Sequence, residues 1–375
     1  IKQNLSTDFN FNITRELKTR KMSQSLQFRT IVSDEVNEEE WNKLLLQSPY
    51  SNAFQEATFF KPDKLAFNAK QVFIQVLDKS EKVVGQLSGV IHFKEHRKIS
   101  NPISKSIFDK LNLGSTFTWK VGPIIHDPDN HDFICYEIFD SINKLCFEHK
   151  IEKIKGTTPS LDANFSEKSF SNTNFLVTPW KDHIIELPKN SDSFLSSLSK
   201  TIRYDIRKGE KNNLTFEIAK TVDDLNDFAM LKFKNRGENP EEVVEHGKNG
   251  IDATWEILYK NGLRILFLAK HDGEIACGIN AIIFNKILYQ TTVVNSPKKY
   301  LQAGSFLTWN FIKWAIDNEC SYVDLSGANP NPSSKKEKQI DFYKSKWGSK
   351  EYKMYRLTKV ISKKRSKFGS LLKRL

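Results

Sequence analysis

Two widely separated stretches of the chain run through the same order of elements. In the first, residues 71–77 read as a strand, a charged turn follows at 78–82, and residues 83–93 read as a second strand carrying Gly85. In the second, residues 263–269 read as a strand and residues 275–284 pair back, with Gly278 standing where Gly85 stands. The Asp272-Gly273 pair between them is a strong hairpin signal. Each hairpin is followed by a further strand, at 116–121 and at 287–294. A helix with one apolar face comes next. Its face is Ile134, Ile138, Phe139, Ile142, Leu145 and Cys146 in one copy, and Leu307, Phe311, Trp314 and Ala315 in the other. A short strand closes each run, at 151–155 and at 322–325. This repeated order predicts two copies of one α/β (α+β) unit, and 375 residues suffice for two such domains.

The boundaries follow from what flanks the copies. Residues 1–27 are polar and aperiodic and read as a flexible leader, and folding starts with a strand near residue 28. Asn37 is placed to cap a helix whose first turn holds Glu38, Glu39 and Glu40, where the helix dipole favours acids. The first domain is expected over 28–188, the second, with the catalytic site, over 189–358, and a basic tail over 359–375. Residues 335–375 hold fifteen Lys or Arg and three Asp or Glu, an excess equal to the whole chain's net charge of +12. Such a surface suits a polyanion: RNA, a phosphorylated substrate or anionic lipid. It also suits a plain solvated tail.

Several chemistries lack their signatures. Cys135, Cys146, Cys277 and Cys320 are scattered through apolar runs without a C-x-x-C pair, which argues against a zinc site or a disulfide framework and fits a reducing compartment. No apolar run approaches the length of a membrane span, and the chain shows no apolar signal segment. No G-x-S-x-G elbow, H-E-x-x-H pair or Walker loop occurs, so no metal is expected.

Two segments carry candidate chemistry. In residues 304–348 a helix leads to the strand Tyr322-Val-Asp324-Leu, then Ser326-Gly327, a polar Pro-broken loop, and Tyr343-Lys344-Ser345-Lys346-Trp347-Gly348. The end of a strand in an α/β sheet is a common ligand site. In residues 191–211 a single helix is expected, with Phe194, Leu195, Leu198, Ile202 and Ile206 on an apolar face and Lys200, Arg203, Arg207 and Lys211 on a cationic one. Paired Arg side chains suit a diphosphate or an RNA end, because the guanidinium binds phosphate bidentately. The same charges also fit a solvated face pairing with Asp205 and Glu210.

These segments resemble those of the FemABX-like aminoacyltransferases. The family's "Y-D-x-x-G" and "F-K-x-x-F-G" pieces correspond to Tyr322, Asp324 and Gly327 and to residues 343–348, with two aromatics exchanged. Its "K-x-x-R-x-x-I-R-K-A-x-K" segment corresponds to residues 200–211, with Gly209 in place of Ala, and its early "F-Q-x-x-x-aromatic" segment to Phe54-Gln55 and Phe59. The resemblance covers about residues 28–358. It implies two tandem GNAT-like acyltransferase domains, each a mixed, mostly antiparallel sheet flanked by helices, without the long helical arm of some members.

The resemblance also implies roles. Lys344 is expected to stabilise the oxyanion of acyl transfer, since a fixed ammonium in a dry site meets that charge as it develops. The other reading of Lys344 is one more lysine in a lysine-rich run. Tyr289 is expected to face the donor's terminal nucleotide, or else to be a core tyrosine. Asp324 orients Lys344 or a substrate amine, or caps the following loop. Arg203, Arg207 and Lys200 would hold phosphate, and Lys61 would reach a substrate phosphate from the first domain. No bound cofactor is expected. The co-substrate is aminoacyl-tRNA or acyl-CoA, and the CoA pyrophosphate loop is not matched at residues 298–305. The expected function is transfer of an amino acid or other acyl group, from aminoacyl-tRNA, to an amine of a peptidoglycan or similar phosphorylated cell-envelope precursor. The alternative is acyl-CoA-dependent N-acetyl transfer to an amino sugar or polysaccharide precursor, and a third reading is a non-catalytic RNA- or membrane-binding protein. The expected location is cytoplasmic, with the basic C-terminus, ending in the amphipathic piece 368–375, able to lie on an anionic membrane.

Overall fold

The computed structural model describes residues 28–93, 106–107, 110–171, 173–297, 302–362 and 365. The expected leader and most of the expected basic tail lie outside these residues, as do residues 298–301.

The first copy begins with β1 (Arg29–Ser33) and the helices α1 (Glu38–Leu46) and α2 (Lys61–Ala66). The side chain of Asn37 accepts from the Glu40 amide, so the cap read from the sequence forms. Then come β2 (Ala69–Leu77), β3 (Val83–His92), β4 (Thr116–Thr118), the short β5 (Ile124–Ile125), α3 (His131–Glu148) and β6 (Lys153–Thr157). β7 (Leu176–Glu186) follows. The second copy holds α4 (Ser191–Ser197), α5 (Lys200–Lys211), β8 (Thr215–Ile218), α6 (Val222–Lys234), α7 (Pro240–Thr254), β9 (Arg264–His271), β10 (Glu274–Phe284), β11 (Ile287–Asn295), α8 (Ala303–Asp317), β12 (Tyr322–Ala328), α9 (Lys335–Ser345) and β13 (Lys350–Val360).

The repeat predicted from element order is present. In each copy an antiparallel hairpin (β2–β3, β9–β10) leads to a third strand, then a helix, then a strand running parallel to that third strand. The parallel pairs are Thr116↔Lys153 in the first copy and Ile287↔Tyr322 in the second. The other pairings among the described residues are antiparallel, so the sheet is mixed and mostly antiparallel.

The copies are not separate sheets. Among the described residues thirteen strands form one sheet, and the order along it is β1-β2-β3-β4-β6-β13-β7-β12-β11-β10-β9-β8 with β5 on β3. β7, from the first half of the chain, pairs with β12 of the second copy. β13, from the end of the chain, pairs with β6 of the first. The two exchanged strands pair with each other from Lys350↔Ile184 to Thr358↔Leu176. Each copy is thus closed by a strand of the other. One apolar core packs α3 on the first copy, with Ile134, Ile138, Phe139 and Trp119. Another packs α8 and α5 on the second, with Ile202, Ile206, Phe306, Leu307 and Phe311.

The structure corrects two sequence expectations and adds two elements that were not read. Residues 191–211 form two helices, because Leu198 is extended and the Ser199 side chain caps a new helix by accepting from the Ile202 amide. β12 runs on through Ser326 and Gly327 to Ala328, beyond the strand 322–325 read from the sequence. Residues 335–345 form α9, which lacks an apolar stripe; its sequence signal is the Ser334–Glu337 capping box. β13 also went unread, since Lys and Arg interrupt its apolar positions.

Candidate active site

β12 bulges between Asp324 and Gly327 where it pairs with β7. Ser326 takes a left-handed φ of 69° there, a conformation that strains a residue with a side chain. The Asp324 carboxylate accepts from the Ser326 amide at 2.6 Å and so caps the bulge. The turned backbone offers two carbonyls to the same donor. Lys344, on the last turn of α9, donates to Ser326 O at 2.8 Å and Gly327 O at 2.9 Å. Gly327 is required at this point: a Cβ there would lie 2.3 Å from the Trp180 indole nitrogen and 3.0 Å from an Asp182 oxygen. The "Y-D-x-x-G" spacing is therefore the spacing of a bulge that seats a lysine.

Lys344 is 8% exposed, and burial lowers its pKa while Asp324, Asp182 and Asp341 act to raise it. Its helix is held down by a second network. His183, fully buried, hydrogen-bonds Asp341 at 2.8 Å and Ser349 at 2.9 Å, and the Ser349 hydroxyl donates to Lys344 O at 3.1 Å. His183, Asp341 and Glu351 lie close enough to hold a metal ion. The Lys181 ammonium, 2.8 Å from Asp341 and 2.6 Å from Glu351, already supplies the positive charge there.

Two cavities meet near Lys344. One, of about 930 Å³, is lined by Lys344, Tyr343, Gln290, Lys232 and Arg236 and reaches the first turn of α8 at Gly304 and Ser305. The Tyr343 hydroxyl donates to Gly304 O at 3.2 Å and pairs with Thr308 Oγ1 at 2.9 Å, which ties α9 to α8. The other, of about 220 Å³, lies at the seam between the copies. Asp182, Asp324, Tyr289, Arg356 and Lys120 line it, together with Ser326 and Gly327, whose carbonyls hold Lys344. Gln290 lines both cavities. Burial pushes Asp182 up to about 6, and burial with the neighbouring Asp182 pushes Asp324 well above the usual carboxylate range. Tyr289, 7% exposed and edge-on to Phe54 at 5.6 Å, is raised well above its ordinary value by burial and by the two acids.

A third cavity, of about 560 Å³, extends the cleft between the copies. Phe67, Phe93, Phe228 and Phe233 give it apolar walls, and Lys232 and Arg264 give it charge. Lys120 acts on the same cluster, its pKa lowered by burial and by Arg264 and Lys232. Asp63 is the acid that acts on Lys120 and Arg264.

Of the residues singled out in the sequence, Lys344, Tyr289 and Asp324 come together across three elements. The cationic face of α5 does not join them. α5 packs on α8 through Ile202, Ile206 and Gly209, so Lys200 and Arg207 are exposed on its far side and line none of the three cavities. Arg203 is committed locally, its guanidinium donating to Ser196 O and Leu198 O, both at 2.7 Å, at the end of α4. Arg203→Ala is therefore expected to lower stability by about 1–2 kcal/mol, since a charged donor leaves two helix-end carbonyls, and to leave RNA affinity unchanged. Urea unfolding and a filter-binding assay read the two effects separately. Lys61 pairs with Glu38 at 2.6 Å on the surface of the first copy. Sequence reading missed Asp182, Lys120, Lys232 and Arg264. Asp182 had a signal: the polar run Lys181-Asp182-His183 interrupts an otherwise apolar strand end.

Comparison with known proteins agrees with this architecture. Residues 196–353 match the model of the Acetyltransferase (GNAT) domain. No curated protein matches by sequence. Among solved structures, FemX is similar with a TM-score of 0.60 at 12% identity, over 87% of this chain and 96% of that one. A tandem GNAT protein from the clavulanic acid biosynthesis pathway gives a TM-score of 0.57 at 11% identity, over 90% and 99%. A conserved protein of unknown function from Bacteroides thetaiotaomicron gives 0.55 at 8%, over 88% and 99%. Residues 196–353 are thus similar to a GNAT acetyltransferase domain, and the chain as a whole shares the tandem fold of FemX and of the tandem GNAT protein.

Proposed function

We propose that this acyltransferase moves an aminoacyl group from aminoacyl-tRNA to an amine of a phosphorylated cell-envelope precursor. The observation that carries this reading is the position of Lys344 at the wall between two cavities, one large enough for a donor end and one small. An amine attacking from the seam and an ester held in the larger cavity meet beside a fixed ammonium, which stabilises the oxyanion of the tetrahedral intermediate. The cationic cleft of Lys120, Lys232 and Arg264 suits the acceptor's phosphate. Exposed Lys200 and Arg207 suit the tRNA backbone, whose binding rests on phosphate neutralisation. The enzyme works with no bound cofactor in the cytoplasm, where charged tRNA is supplied, and its basic C-terminal segment rests on anionic lipid. Among the described residues no helix is long and apolar enough to cross a membrane. We assign the leader to 1–27, the two domains to 28–188 and 189–358, and the tail to 359–375.

A second reading has its own support. The larger cavity opens on the N-terminus of α8, whose first-turn amide groups suit a pyrophosphate, and an acyl-CoA donor would place one there. A single transfer assay decides. The protein is incubated with a UDP-linked muramyl peptide and either bulk aminoacyl-tRNA or acetyl-CoA, and product mass is read by mass spectrometry. Aminoacyl addition with tRNA alone supports the first reading. Acetyl addition with CoA alone overturns it in favour of the second.

A further inference from the structure

The small cavity at the seam holds more machinery than an oxyanion site needs. Asp182 lies opposite Gly327 in the β7–β12 register and folds over it, with one oxygen 3.0 Å from where a Gly327 Cβ would stand. Asp324 precedes the bulge on the facing strand. The two carboxylates line the same space, 5% and 6% exposed. Asp324 accepts from the Ser326 amide, and Ser160 acts to lower the pKa of Asp182 against the effect of burial. Tyr289, 7% exposed, lines the same cavity from β11. An independent feature points to a ligand. The buried Trp180 indole N–H, on a residue that also lines the cavity, has no hydrogen-bond partner among the described residues; an unpaired buried donor is costly, so it marks a place for a ligand.

We propose that this cavity receives the acceptor's primary amine, and that Asp182 and Asp324 act together as the group that takes the amine's proton during acyl transfer. The proposal rests on the acyl-transfer reading above. The cavity has room for about seven waters at ~30 Å³ each, which fits an aminoalkyl arm and not the body of a precursor. Four other charged or titratable groups face or act on the pair: Lys344 from α9, Arg356 from β13, Tyr289 from β11 and Lys120 from the segment after β4. Two carboxylates this close hold one proton between them more readily than two charges.

The step balances as follows. An ammonium entering the site first loses one proton to solvent. The free amine's lone pair then attacks the acyl carbon; the C–N bond forms and the carbonyl π pair moves to oxygen, beside Lys344. The nitrogen, now positively charged, gives a proton to the carboxylate pair, which goes from one proton to two. The oxyanion re-forms the C=O bond, the bond to the donor oxygen (sulfur for a thioester) breaks, and the leaving group takes a proton from the pair. The pair returns to one proton, and the products are an amide and a free hydroxyl or thiol.

The test uses the full chain with Asp182→Asn, Asp324→Asn and Tyr289→Phe. Cadaverine is the probe for the amine site. At pH 8 it is expected to raise the thermal midpoint of the unmodified protein, and the rise should vanish in Asp324→Asn and shrink in Tyr289→Phe. No rise in the unmodified protein overturns the amine site. In the transfer assay, the two Asn variants are expected to lose about 10²-fold or more in kcat, the scale of a lost general base. They should also lose the acid limb of the pH–rate profile, while KM for the donor holds. Variants that keep both the rate and the profile overturn the proton-transfer role. If the unmodified protein transfers nothing, the acyl-transfer reading fails, and the cadaverine result still decides the amine site.

Discussion

Lys344→Met should lower kcat by about 10²- to 10³-fold, with KM for either substrate moving far less. Met keeps the length and apolar bulk of the lysine stem and removes only the ammonium. That ammonium is held by Ser326 O and Gly327 O, so it needs no movement to meet an oxyanion. Burial lowers its pKa, and the three nearby acids act the other way, so the site is built to keep a buried cation charged. Lys344→Arg is not a rescue, because a planar fork cannot place one nitrogen between two adjacent carbonyls and the cavity as a point charge does. Initial rates at saturating donor and acceptor, with circular dichroism to show that the variant folds, test this. An unchanged kcat removes Lys344 from the chemistry.

Ending the chain after Gly348 should abolish cooperative folding at 25 °C, read as loss of any sigmoidal transition in urea. β13 is not a terminal appendage: it fills the middle of the sheet and pairs with β6 on one side and β7 on the other. Its Met354, Tyr355 and Leu357 are 5%, 1% and 0% exposed. Their burial is worth about 1.5–3 kcal/mol each, against a total stability on the order of 5–15 kcal/mol. Removal also leaves two central strand edges without partners, which is an aggregation hazard. A folded truncation with a normal transition would show that the copies close without the exchange. Leu357→Ala is the milder form, expected to cost about 2–5 kcal/mol.

The candidate site was partly legible before folding. Lys344 and Asp324 stood out because they sit in short contiguous motifs that resemble those of the FemABX-like family, and Tyr289 through the same resemblance. The cationic face of residues 200–211 was legible as a face, and the helix is there. Its direction was not legible, because which way a helix turns its charged side depends on what its apolar side packs against, here Phe306 of α8. The role of Arg203 changed for a local reason, since Ser199 started a new helix and left the end of α4 in need of a donor. Asp182, Lys120 and Arg264 went unread because each is an ordinary polar residue in its own segment. They gain meaning from partners distant in the chain: Asp324 for Asp182, and one another for the two cations.

The sequence by itself determined the repeated unit, its hairpins and its one-faced helices, because periodicity and turn chemistry act over a few residues. It also determined the spacing of the bulge that seats Lys344. Only the tertiary structure decided that the units exchange β7 and β13, and it alone brought Asp182 from one unit against Asp324 of the other. Strand exchange depends on which edges are left open once both units have formed, and a buried carboxylate pair depends on two strands meeting in register. Neither is a property of any single stretch of chain.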